Sequence, residues 1–236
     1  MTRPDAPLVS VVMPCYNTER YIAQAIDSIF AQGLNSVQVV VIDDGSSDRS
    51  AEIARSFGDS VECKSQPNAG IAAARNAGIA IARATYLAFL DADDIWTPGS
   101  LNLRLERLRQ GAQCVFGGVE NFISPELSKE ERDRFGFCPP AMIARLAGTM
   151  LIERQAFDRV GAFDPSLRVG EMLDWVARMD QAGVRSVLID DIVLRRRIHG
   201  NNTVLRSQTE KGDYLKVLRT SLARRRDAAA KSGGAR

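Results

Sequence analysis

Tyr86-Leu87-Ala88-Phe89-Leu90-Asp91-Ala92-Asp93-Asp94 joins five apolar residues to three carboxylates in four positions. The apolar run shows no polar alternation, so it reads as a strand buried on both faces. The acids that end it repel one another, and stability alone does not account for them. They make sense where a divalent cation is held together with a ligand that brings its own negative charge. Carboxylate oxygens are hard ligands and suit Mg²⁺ or Mn²⁺. A diphosphate is the natural ligand for such a metal. Acidic clusters also form loops and helix N-caps, so the rest of the chain has to decide.

Upstream, three more apolar strands alternate with helices. Leu8 to Met13 is a strand, followed by a helix capped near Thr18 with Tyr21, Ile22, Ala25, Ile26, Ile29 and Phe30 on one face. Val37 to Ile42 is the second strand. Asp43-Asp44-Gly45-Ser46-Ser47-Asp48 ends it, and Asp48 can cap a helix through about Phe57. Val61 to Lys64 is the third, Gln66 to Gly70 a turn, and Ile71 to Arg83 an alanine-rich helix. Continuous apolar strands alternating with helices imply a parallel sheet covered on both faces. Ligands gather at the carboxyl ends of such strands. Pro14-Cys15-Tyr16-Asn17, Asp43 to Ser46 and Asp91 to Asp94 all lie there.

Downstream, a helix runs from beyond Pro98 to about Gln110, and Gln113 to Val119 is a strand. Residues 120–140 read as a loop with weak helix. A strand over Gly148 to Ile152, a helix over Glu153 to Val160, and a helix from Glu171 to before Gly183 follow. Val184 to Ile189 and Ile192 to Arg197 read as two late strands, Ser207 to about Arg226 as a helix, and 228–236 as a disordered tail. No linker divides the chain, so residues 1–227 form one domain. Residues 8–115 are its binding half, 116–204 its acceptor half and 205–227 a basic helix.

The 236 residues are 45% hydrophobic and 25% charged, ordinary for a soluble globular protein. The start reads as neither signal peptide nor membrane helix. Cys15, Cys63, Cys114 and Cys138 lack metal-type spacing and read as free thiols in a reducing cytoplasm. The net charge of +2 is uneven: residues 192–236 hold 12 Lys+Arg against 3 Asp+Glu, the remainder 19 against 26. The acidic body fits a metal site. The basic end is either a solvated helix or a contact for anionic lipid at the inner membrane face; nucleic acid is not expected as a partner.

Four stretches, in order and at matching spacing, carry a resemblance. They are Val9 to Asn17, Val41 to Asp48, Asn68-Ala69-Gly70-Ile71-Ala72-Ala73-Ala74-Arg75-Asn76-Ala77-Gly78, and Leu90 to Asp94. Together they resemble the family 2 glycosyltransferases. The resemblance implies a GT-A fold: an α/β, Rossmann-like, mostly parallel central sheet with helices on both faces and a smaller C-terminal acceptor-side portion. It implies inverting transfer of a sugar from a nucleotide-diphosphate sugar, with uridine the favoured nucleoside. It places Pro14, Tyr16, Asn17 and Asp44 at the nucleoside. There a carboxylate can accept a uracil-like N–H and an aromatic ring can stack on the base. Asp43 is left as a helix cap. Asp91 and Ala92 fall beside the donor, with Asp91 at the ribose or in the metal's water shell, and Asp93 is the direct metal ligand. Asp94 is a candidate cap for the following helix. Arg75 and Asn76 lie on the helix abutting this region. Asn76 can hydrogen-bond the donor, and Arg75 can contact the donor or pair with an aspartate.

An inverting transfer needs a general base. The family places an acidic pair at the start of a late helix, here Gly170-Glu171-Met172-Leu173-Asp174-Trp175-Val176-Ala177-Arg178. The usual base position falls on Met172, which cannot accept a proton. Glu171 and Asp174, three apart on one helix face, are the candidates. His199, the single histidine, sits in a His-x-x-Asn spacing with Asn202 that in the family closes on the metal or diphosphate. One of Arg195, Arg196 and Arg197 can meet the diphosphate. The acceptor can be a glycan, a lipid-linked sugar, a metabolite or a peptide. A nicotinamide dehydrogenase is disfavoured, because no Gly-x-Gly-x-x-Gly follows the first strand. An aspartyl phosphatase leaves the turns at Pro14 and Asp43 unexplained. A non-catalytic nucleotide-sugar-binding module is the alternative that Met172 keeps open.

Overall fold

The computed structural model describes residues 7–133, 139–200 and 220. The proposed basic helix, the tail, Asn202 and Cys138 lie outside them. Among the described residues, one nine-stranded sheet runs in the order β3-β2-β1-β4-β8-β6-β9-β5, with β7 paired to β6. The strands are β1 (Val9–Cys15), β2 (Val37–Asp43), β3 (Val61–Ser65), β4 (Tyr86–Phe89), β5 (Ile95–Trp96), β6 (Cys114–Ile123), β7 (Ala141–Ile143), β8 (Leu151–Glu153) and β9 (Ser186–Ile198). The helices are α1 (Ile22–Phe30), α2 (Ser50–Arg55), α3 (Ile71–Ile81), α4 (Ser100–Arg109), α5 (Lys129–Asp133), α6 (Arg154–Val160) and α7 (Glu171–Gln181). Strands β1 to β4 are parallel to one another, and β6 and β9 run the same way; β5, β7 and β8 run opposite.

The continuous apolar strands are buried on both sides, as their pattern required. Val9, Val11 and Met13 of β1 pack with α1, α2 and α4, while Val12 faces α3 and the second core layer. In β4, Ala88 faces the first layer and Leu87 and Phe89 the second. Gly78 lets α3 lie directly on β1: a Cβ there would come 2.4 Å from Val12 Cγ1. The second layer centres on Phe89, Phe157, Phe163 and Trp175, with the Phe157 and Trp175 rings stacked at 5.2 Å. Burying one such side chain is worth about 2–3 kcal/mol. Trp175 Nε1 also donates to Gly161 O at 2.8 Å, which seats the loop before α7.

Several local readings differ from the structure. Thr18 does not cap α1 with its side chain; its carbonyl accepts from Tyr21 and Ile22 instead. Residues 120–123 extend β6, and α5 is a short helix in the predicted loop. The two late strands are one strand, β9. Asp190-Asp191 sits in an irregularity where the pairing jumps from Phe116↔Leu188 to Gly118↔Ile192. Extra residues there bulge and the ladder then resumes. A Cβ on Gly118 would lie 3.1 Å from the Asp190 and Asp191 carbonyls, so the bulge rests against a glycine. Cys15, Cys63 and Cys114 are free thiols. Burial, with the Asp43 carboxylate adding to it, pushes the Cys15 thiol up to about 12. Among the described residues no helix is long and apolar enough to cross a membrane.

Candidate active site

The carboxyl ends of β1, β2 and β4 lie side by side, and each expected site residue can be placed from them. Asn17, with φ +53°, turns the chain after β1. Its backbone N–H donates to Ser46 Oγ at 3.0 Å, and its Oδ1 accepts from Ser47 N at 2.8 Å. These bonds stitch the β1 and β2 turns together. Pro14 is buried within β1, whereas the Tyr16 ring is 54% exposed at the mouth. Asp43 accepts from Ser46 N at 3.0 Å, which closes its own turn, whereas α2 begins only at Ser50. Asp44 was expected to meet the nucleoside. Its carboxylate accepts from its own neighbourhood: Gln66 Nε2 at 2.7 Å, Ala69 N at 3.0 Å and Gly70 N at 2.8 Å. Gly70 directly precedes α3, so Asp44 sets where that helix begins.

Helix α3 delivers Arg75 and Asn76. The Asn76 amide is occupied by the main chain of Phe163, donating to its carbonyl at 2.8 Å and accepting from its N–H at 3.0 Å. It ties α3 to the loop before α7, a different task from the donor contact expected. Arg75 is buried, its guanidinium 5.8 Å from the Phe163 ring. Nη2 donates to Asp91 Oδ1 at 2.7 Å and Nη1 to Glu171 Oε1 at 2.6 Å. Burial opposes its charge, but the Asp91 and Glu171 carboxylates outweigh that and hold its proton more tightly than usual. One cation thus joins the acid at the end of β4 to the first residue of α7. Gly170 makes the approach possible: with φ +79° it turns the chain in the left-handed region just ahead of Glu171.

Helix α7 sorts the two base candidates. Glu171 faces Arg75 through Oε1, and among the described residues no partner is found for its other oxygen, Oε2. Asp174 is buried and accepts from Arg178 Nε at 2.9 Å, while Arg178 also reaches the Val160 and Ala162 carbonyls at 2.8 Å. That set braces the helix against the preceding loop. Met172 packs into the core with Trp175.

The acidic loop is gripped from β9. Ala92 is buried, and Asp94 N donates to Asp91 O at 3.0 Å. Asp94 does not cap α4; its Oδ1 accepts the Arg197 backbone N–H at 2.9 Å. Burial, then Asp93 and Asp91, hold the Asp94 carboxyl well above its ordinary range. Arg197 Nε donates to Asp93 O at 3.0 Å, and its guanidinium lies between the Tyr21 and Phe122 rings at 4.7 and 4.6 Å. Arg197 therefore braces the loop, and Arg195 pairs with Glu120 at the surface. His199, buried, meets Asp93 Oδ2 through Nε2 at 2.9 Å. Asp93, Asp91 and His199 were expected to act as one ligand set. Among the described residues no group of three or more His, Cys, Asp and Glu side chains gathers to hold a metal. Asp91 turns to Arg75, which leaves Asp93 and His199 as the pair. A cavity of ≈ 190 Å³ opens beside His199, lined also by Arg20, Tyr21, Glu126, Leu127, Glu131 and Gly200. The larger cavity, ≈ 510 Å³, is lined by Arg107, Gln110 and residues of β9 and touches none of the candidate residues. Tyr21 and Phe163 had no site role in the sequence reading, and Arg197 had a different one, as a candidate diphosphate contact. Tyr21 carried one signal, its place on the apolar face of α1, and Arg197 another, its place in the Arg195–Arg197 run.

Comparison with known proteins addresses the family and the fold. Residues 10–167 match the family model described as glycosyl transferase family 2. The chain is 30% identical over 226 residues to an uncharacterized glycosyltransferase of Rickettsia typhi, covering 89% of this chain and 70% of that one. It is 28% identical over 237 residues to the chondroitin synthase of Pasteurella multocida, covering 93% of this chain but only 24% of the synthase. Residues 1–349 of S. aureus TarS superpose with a TM-score of 0.70 at 18% identity, over 91% of this chain and 64% of that one. TarS has also been solved with UDP and with UDP-GlcNAc. The shared architecture is the GT-A fold, and the family match spans the β1, β2, α3 and β4 ends that build the site: the chain belongs to the family 2 glycosyltransferases.

Proposed function

We propose that the chain moves a sugar from a nucleotide-diphosphate sugar, a UDP-sugar by its likeness to the UDP-bound TarS fold, onto an acceptor hydroxyl with inversion. The observation that carries this is the Arg75 bridge, at 2.6 Å to Glu171 and 2.7 Å to Asp91. It sets a carboxylate from the acceptor half beside the acid loop, where the donor's reacting carbon is expected. Glu171 is the proposed general base. Arg75 holds Oε1 in place, and Oε2 takes the proton of the acceptor hydroxyl as it attacks. Asp174 serves as a brace. The base stands one residue before the position usual for the family, because Met172 is turned into the core. Met172 keeps the non-catalytic module as the alternative, and that reading leaves the Arg75-bound Glu171 carboxylate without a chemical task.

Tyr16 is the proposed stacking surface for the base, with Asn17 and Asp44 shaping the turn around it. Asp93 and His199 are the proposed ligands of Mn²⁺ or Mg²⁺; carboxylate and imidazole suit Mn²⁺ best, and phosphate oxygens and water complete the shell. When bound, the ion stabilises the charge that develops on the departing diphosphate. The test is transfer, or donor hydrolysis, with MnCl₂ and a panel of nucleotide sugars. Glu171→Gln is expected to lower turnover about 10³-fold with donor affinity unchanged. Full turnover in that variant removes Glu171 from the role. Loss of donor binding instead of turnover makes it a donor ligand.

A further inference from the structure

The Asp93–His199 pair has a backing that neither residue supplies. Tyr21 stands at the start of α1, and its ring packs on the His199 imidazole with centroids 4.8 Å apart at 45°. The Arg197 guanidinium lies 4.7 Å over the same ring. Beyond the ring, the Tyr21 hydroxyl donates to Glu126, which also accepts from Ser124 Oγ at 2.6 Å. So the ring touches both Arg197 at the end of β9 and His199 just beyond it, the two side chains that grip the acid loop, and the hydroxyl is anchored in the segment after β6.

The geometry points to Tyr21 as a positioning residue: its ring, packed on both His199 and Arg197, holds the imidazole against Asp93 and so sets the affinity of the site for the donor's diphosphate. The inference rests on the donor-site reading above and adds to it a residue that touches no reacting atom. The mechanism is steric and electrostatic. The imidazole reaches Asp93 at 2.9 Å in one ring orientation, and a flat aromatic surface fixes that orientation with little entropy left to lose. Arg197 also packs on the Tyr21 ring and is itself bonded to Asp93 O and, through its main chain, to Asp94. Removing the ring therefore loosens His199 and the brace of the loop together.

A purely structural role would lower the affinity for every nucleotide alike. A positioning role acts on the diphosphate and spares the nucleoside. The experiment compares UDP and UMP binding by calorimetry in MnCl₂ for the parent, Tyr21→Leu, Tyr21→Phe and Asp93→Ala. Tyr21→Leu is expected to bind UDP about tenfold more weakly, and UMP within about twofold of the parent, the size of one lost aromatic contact. Tyr21→Phe keeps the ring and is expected to restore UDP binding to within about twofold. Parent-like UDP binding by Tyr21→Leu, or equal losses for UDP and UMP, overturns the inference. If Asp93→Ala leaves UDP and UMP binding at parent values, the donor-site reading itself fails. Should Tyr21→Leu not fold, proton NMR of the untagged parent decides, because the chain has one histidine. An Overhauser contact between the His199 and Tyr21 rings that persists with Mg²⁺ and UDP supports the role, and its absence overturns it.

Discussion

The turns after β1 and β2 and the acid loop after β4 share one edge of the sheet but are held in opposite ways. The first two are closed by neighbours. Asn17 bonds Ser46 and Ser47, Asp43 bonds Ser46, and Asp44 bonds residues 66, 69 and 70. The acid loop is held from the far half of the chain. Arg75 links Asp91 to Glu171, Arg197 grips Asp93 and Asp94, and His199 meets Asp93. A nucleoside cradle can thus be preformed by the N-terminal half. The charged centre exists only when both halves are packed. Damage to the second set of contacts should reach chemistry and stability together, and damage to the first should reach recognition.

Arg75→Met breaks the long-range set most severely. It leaves Asp91 and Glu171 without their shared cation in a site where the guanidinium was 3% exposed. Breaking a buried pair costs 3–5 kcal/mol, and Asp91, one-third exposed, places this case at about 3 kcal/mol. Urea unfolding measures it. A deficit well below about 3 kcal/mol would show that the bridge is held by packing on Phe163 and not by charge.

Asp44→Asn tests the local set, with a smaller effect. An amide accepts through one oxygen only, so at least one of the Gln66, Ala69 and Gly70 donors is orphaned. We expect a loss of about 1–2 kcal/mol and roughly tenfold weaker UMP binding, with turnover at saturating donor close to the parent. A collapse of turnover at saturation would mean that Asp44, through Gly70 and α3, also sets Arg75, and the two regions are then one unit.

The contrast also explains what the sequence could and could not disclose. The apolar runs of β1, β2 and β4 and the turns that end them are local, and all were legible within a residue or two. Glu171 was legible as a base candidate from the resemblance together with its place at a helix start. Its partner was not: Arg75 and Glu171 are 96 positions apart, and no spacing rule links them. Asn76 shows the same limit, since a polar residue beside a donor motif looked like a donor ligand until Phe163 supplied its bonds. Asp190-Asp191 misled in the other direction. A polar pair between apolar runs reads as a turn, and only the Gly117-Gly118 stretch of the facing strand makes room for a bulge. Asp94 looked like a helix cap because sequence proximity favoured it, and the Arg197 amide lies 103 positions away.

Glu126 offers the mildest way to sharpen the comparison, because it is the surface end of a long-range tie. Burial raises its pKa, but the Ser124 and Tyr21 hydroxyls, joined by a backbone N–H and Arg197, together outweigh that and hold the carboxyl at about 2, below the ordinary 4.5. A depressed native pKa stabilises the fold above the unfolded value and loses that stabilisation as pH falls through the native one. The advantage of the parent over Glu126→Gln should therefore be full above pH 4.5 and fade on the way down to about 2. Glu126 is largely in water, so the advantage should amount to a few tenths of a kcal/mol. Paired urea titrations of parent and variant across that range read it. If the two curves stay parallel, the carboxylate contributes nothing as a charge. The Tyr21 ring would then hold its place by packing on His199 and Arg197 alone, and the centre would depend on β9 more than on the segment that follows β6.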